Sequence, residues 1–84
     1  MNRDDIDSRL ADVAGTVLGV EPDTLSDSAS PETVDGWTSL VHLSLIVAVE
    51  EAFSIHLSVA DIYAARSFGA LRRIVSDHVA SGAR

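Results

Sequence analysis

The chain contains no cysteine and no lysine, only two prolines, and 5% aromatic residues. Zero cysteine removes disulfides, thiolate metal sites and cysteine nucleophiles together, and it fits a reducing cytoplasm, the expected location. All six cations are arginines, set against 13 Asp and Glu, for a net charge of −7. Polyanions are therefore poor partners. Nucleic-acid binding needs clustered phosphate-neutralising cations, and the local cluster here is only Arg72-Arg73 with Arg66 nearby. No apolar stretch approaches the ~18 residues that a membrane span needs, and Met1-Asn2-Arg3-Asp4-Asp5 does not open a signal peptide. The expectations are no nucleic acid, no membrane and no leader.

What is present is enough for one core. A chain of 84 residues with 46% hydrophobic and 23% charged side chains makes one small globular domain, expected over residues 1–84. Charge is uneven along it: residues 1–36 carry nine acids and two arginines, residues 62–84 one acid and four arginines. The two ends are expected to attract each other.

Apolar residues at Ile6, Leu10, Val13, Ala14, Val17 and Leu18 lie on one face at 100° per residue, predicting an amphipathic helix from about Asp4 to Leu18. Asp4, Asp5 and Asp7 suit its positive N-terminal end, and Gly19 supplies a stop. From Val20 to about Trp37 the pattern breaks into a long loop, with Leu25 and Val34 as expected anchors and one helical turn over Pro22-Asp23-Thr24-Leu25. The second helix, from Thr38 or Ser39 to Phe53, has ten apolar residues in SLVHLSLIVAVEEAF. Leu45, Ile46, Val49 and Phe53 share one sector with His42 near its middle, while Leu40 and Val47 fall outside it with Ser44 and Glu51. One helix thus has two apolar surfaces, and so small a domain cannot cover both. Residues 54–58 read as an extended loop, Val59 to Ala64 as a short helix capped by Ser58, and Ser67 as the cap of a last helix bearing Phe68, Leu71, Ile74, Val75 and Val79. Arg72 and Arg73 flank that stripe and are expected in solvent; residues 81–84 are expected to fray. The fold class is all-α: a small four-helix bundle of three longer helices and a short third one, with a long first connection.

Little here resembles a catalyst. His42, His56 and His78 are scattered, without the i, i+4 spacing of a helical metal site, so no metal is expected. Ser39, His42 and Asp35 do not sit in a Gly-x-Ser-x-Gly elbow, and Glu50-Glu51 point about 100° apart, so no catalytic residues are assigned. Ser39 follows the loop and opens the most apolar helix, which exposes a hydroxyl at a helix N-terminus, a favourable place for an attached anion. Capping alone would also explain Thr38-Ser39, although neither residue completes a capping box.

The run from Asp35 to Ile46, DGWTSLVHLSLI, and its continuation from Val49 to Ile55, VEEAFSI, resemble the attachment motif and following helix of the acyl and peptidyl carrier proteins. Asp61-Ile62 and Ser67-Phe68-Gly69-Ala70-Leu71 resemble the family's third and fourth helices, so the likeness covers about residues 6–79. The resemblance implies a four-helix bundle that is not an enzyme. Ser39 would receive 4′-phosphopantetheine from coenzyme A through a phosphopantetheinyl transferase using magnesium, and the arm's thiol would hold acyl or aminoacyl groups as thioesters. A protein without cysteine would thus do thiol chemistry. Thr38, Leu40, Val41, Val47 and Glu51 would meet the transferase, an acyl-loading ligase or acyltransferase, and synthase or condensing enzymes. Thr38 stands where the family has aspartate, and Val41 and Ser44 stand where fatty-acid carriers have acids, which implies apolar docking as in polyketide or nonribosomal peptide assembly. Trp37 either contacts a partner or anchors the loop. The resulting expectation is a discrete, monomeric carrier; a non-carrier helical interaction module of the same fold is the alternative.

Overall fold

A computed structural model describes residues 3–81. The expectations for the first two residues and for fraying over 82–84 lie outside the described residues, whereas Ser81, expected to fray with them, is the last residue of the final helix. Four helices follow in order: α1 (Arg3–Leu18), α2 (Ser39–Phe53), α3 (Val59–Ala64) and α4 (Phe68–Ser81), with a single 3-10 turn at Pro22–Thr24.

α1 buries Ile6, Leu10, Ala14 and Leu18, each four residues after the last, against α2 and α4. It ends at Gly19, whose φ of 74° returns its N–H to Gly15 O at 2.8 Å. α2 contributes Leu45, Ile46 and Val49, and α4 contributes Phe68, Leu71 and Val75. Each large aliphatic side chain withdrawn from water this way is worth about 1.5–3 kcal/mol. α2 stops at Ser54 in the left-handed region (φ 56°), its N–H returning to Glu50 O. Glu50 Oε2 then takes the Leu57 N–H at 2.8 Å, holding the extended 55–58 segment against the helix it left.

The long connection is less loose than its composition implies. Leu25 and Val34 are half-buried, yet Ala29 and Trp37 go deeper, to 6% and 2% exposure. Its middle is fastened to the start of α4: Phe68 N donates to Ala29 O (2.8 Å) and Gly69 N to Asp27 O (3.0 Å). Those two amides begin a helix and have no partner within it. A Cβ at Gly69 would lie 2.9 Å from Asp27 Cβ, so glycine is what lets the loop approach. Arg72 corrects the expectation of a solvent-facing side chain. Its guanidinium binds Asp27 with both nitrogens (2.5 and 2.7 Å) and lies 3.8 Å from Asp7 on α1. The Asp27 carboxylate pushes the Arg72 pKa up. Acidic front and basic rear are joined here.

α3 is held differently, for none of its residues is buried. Ser58 and Asp61 form a reciprocal capping box, with Oγ accepting from Asp61 N (3.0 Å) and the carboxylate accepting from Ser58 N (3.1 Å). Asp61 also meets His78 Nε2 of α4 at 2.8 Å. The His78 hydrogen bond first, then the Ser58 amide, hold the Asp61 carboxyl below its ordinary value. Ser67 Oγ caps α4 by accepting Ala70 N at 3.1 Å. Among the described residues no helix is long and apolar enough to cross a membrane.

Candidate attachment site

Thr38 has extended backbone (φ −90°, ψ 173°) and its Oγ1 accepts the Val41 N–H at 3.2 Å. Of the four amides that open a helix without a partner, Thr38 N reaches Gly36 O and Val41 N reaches Thr38 Oγ1. Those of Ser39 and Leu40 have no acceptor among the described residues. The capping task therefore belongs to Thr38, and the exposed Ser39 hydroxyl beside it is not used for capping.

Immediately before this turn, Trp37 is buried and stacks on His42, ring centroids 6.0 Å apart. Trp37 Nε1 donates to His42 Nδ1 at 3.0 Å. The indole N–H can only donate, so His42 Nδ1 is the acceptor, and Nε2 is left to donate to Ile62 O at 3.1 Å. Both nitrogens are engaged away from Ser39, so His42 does not serve as a base for that hydroxyl. Trp37 anchors the loop rather than offering its ring to a partner.

Ser39 opens onto a groove of about 1040 Å³ between the start of α2 and α3, whose walls include Thr38, His42, Leu43, Ile62, Tyr63 and Arg66. A phosphate ester suits this place. Ser39 is exposed, the Ser39 and Leu40 amides are unspent and the helix dipole is positive here, while the groove wall carries one cation, Arg66, and one acid, Glu32.

Along α2, Leu40 is 74% exposed and Val47 54%, with exposed Ser44 and Glu51 on the same face. Val41 is turned differently: it is half-buried against the core, so only part of it can reach a partner. Leu43 (54%), Val59 and Tyr63 extend the exposed apolar surface onto α3 and were not assigned from the sequence. Leu43 lies about 60° round the helix from Leu40, a proximity readable from spacing, whereas nothing in the six residues of α3 marks an outer face.

A family model described as a phosphopantetheine attachment site matches residues 8–75. Polyketide synthase ThaG of Burkholderia thailandensis is 35% identical over 75 residues, 89% of this chain; the chain spans about 1% of that relative's length. The solution structure of a holo acyl carrier protein from Geobacter metallireducens superposes with a TM-score of 0.81 at 24% identity, covering 93% of this chain and 88% of that one. The chain belongs to the family of phosphopantetheine attachment sites.

Proposed function

We propose that Ser39 is the residue that receives the arm, and that residues 1–84 act as one carrier domain in assembly-line biosynthesis of the polyketide or nonribosomal peptide kind. The observation that carries this reading is the exposed Ser39 hydroxyl at the mouth of a groove, free of the capping role that Thr38 fills. When attached, the arm supplies the thiol on which an acyl group rides as a thioester. The chain's own residues hold the arm's phosphate near the α2 N-terminus, offer the Ser39 and Leu40 amides to it, and expose a surface for enzymes. Carriers of this family are not catalysts.

Docking is assigned to Thr38, Leu40, Val47 and Glu51, with Val41 contributing its exposed edge. The partners are a phosphopantetheinyl transferase, an acyl-loading ligase or acyltransferase, and a synthase or condensing enzyme, met by a monomer in the cytoplasm. The likeness to a segment of a polyketide synthase supports the choice of pathway class.

The test is direct. Purified protein incubated with coenzyme A, magnesium and a broad-specificity phosphopantetheinyl transferase gains one phosphopantetheinyl mass, and Ser39→Ala gains none. An unchanged mass, or an increment that survives Ser39→Ala, removes Ser39 from this role and returns the interaction-module reading.

A further inference from the structure

The three histidines sit in contacts that answer a proton in different ways. His78 Nε2 meets the Asp61 carboxylate at 2.8 Å and His56 lies 3.5 Å from Glu50, so a proton on either ring sets a positive charge against a negative one and leaves the contact in place. His42 differs, because Nδ1 accepts the Trp37 indole N–H at 3.0 Å while Nε2 donates to Ile62 O at 3.1 Å. That pair of roles needs the neutral ring. A protonated imidazole donates from both nitrogens, so Nδ1–H would point at the indole N–H, which cannot accept. The Ile62 contact would survive and the Trp37 contact would not.

What hangs on the Trp37 contact is the turn that presents Ser39. His42 grips both residues before that serine: its amide donates to Thr38 O at 2.8 Å, and its ring takes the indole of Trp37, which is 2% exposed. An indole N–H stripped of its acceptor in so dry a place favours moving the ring outwards, and the backbone of 35–38 moves with it. The charged and titratable groups lining the groove with His42 are Glu32 from the loop, Tyr63 from α3 and Arg66 from the α3–α4 link, while Asp61 of α3 is turned to His78 of α4. α2 itself carries no acid before Glu50. Among the described residues no carboxylate bonds to the His42 ring, so a charge there has no paired acid. Resting on the reading of Ser39 as attachment point, we propose that His42 is a positioning residue for priming that holds the turn before Ser39 only while its ring is neutral, so that acidification releases Trp37 and slows transfer of the arm without loosening α3.

Trp37 is the chain's single tryptophan, so its indole N–H gives one isolated NMR signal. From about pH 8 down to about pH 5, the span in which imidazoles change charge, the hydrogen-exchange protection of that N–H is expected to fall about tenfold while the α3 amides keep theirs. His42→Gln, whose amide can both accept from Trp37 and donate to Ile62, does not titrate and is expected to hold the indole equally well throughout. His42→Leu, which accepts nothing, is expected to leave it unprotected and to prime slowly at every pH. Priming is read as the ratio of kcat/KM for the parent to that for His42→Gln, measured with one phosphopantetheinyl transferase so that the enzyme's own pH dependence cancels. That ratio is expected to stay near unity at the alkaline end and to drop several-fold at the acid end. A parent indole as protected in acid as that of His42→Gln, α3 amides that open together with the indole, or a rate ratio that does not change with pH each overturns the proposal. Should His42→Gln not fold, the parent's indole and α3 profiles decide alone. Absence of priming at every pH refutes Ser39 as the attachment point, and the effect on rate falls with it, while the indole profile still decides whether neutral His42 holds the turn.

Discussion

Thr38 and Ser39 are neighbouring hydroxyl residues, and of the two Thr38 caps α2. Because Thr38 Oγ1 accepts the Val41 amide, Thr38→Ala is expected to lower stability in urea unfolding by about 1 kcal/mol. Thr38→Asp keeps a capping oxygen and restores the family's acid, so its folding stability is expected to stay near that of the parent while its priming rate rises. Asp61 gives a prediction in pH. Its folded-state pKa is depressed below the ordinary 3.8, so the stability it contributes is present above that value and drains away as pH falls through the folded pKa. Asp61→Asn is therefore expected to be less stable than the parent at neutral pH, with the gap closing below the ordinary carboxylate range. Thermal unfolding of both proteins across that range checks it; a gap that persists in strong acid contradicts it.

The four helices were legible because each longer one repeats apolar residues at helical spacing, and because Gly19, Thr38, Ser58 and Ser67 punctuate their ends. What was not legible depends on contacts between distant parts of the chain. Trp37 reads equally as anchor or docking residue until His42, one turn into α2, is seen to take its indole proton. Arg72 reads as solvated until Asp27, 45 residues away, is found against it. The groove combines residues from loop, α2, α3 and the α3–α4 link, so no local pattern announces it. The loop-to-α4 junction carries its own prediction. A methyl at Gly69 collides with the backbone and Cβ of Asp27, so Gly69→Ala is expected to cost about 1–3 kcal/mol in urea unfolding and to speed hydrogen exchange at the Phe68 and Gly69 amides.

At the scale of the whole molecule, the exposed apolar face of α2 is short of acids. Thr38 to Val49 carries no Asp or Glu, and Glu51 is the exposed acid that follows on the Leu40 and Val47 face. A partner recognising this surface gains more from excluding water than from charge steering, so acyl transfer to a cognate synthase is expected to depend weakly on salt. Leu40→Asp and Val47→Asp are expected to leave folding stability within about 0.5 kcal/mol of the parent, since both positions are largely exposed, while slowing transfer. Chemical denaturation beside a transfer assay separates the two effects. The buried indole just ahead of Ser39 has one last consequence. With an arm on Ser39, as proposed, it would make the base of that tether a fixed pier, so that the volume swept by the thiol would be set by the length of the arm rather than by wandering of the polypeptide. The effective concentration of cargo at a docked enzyme then follows from arm reach and berth geometry, and a mutation that loosened Trp37 would dilute that cargo without touching a single reacting atom.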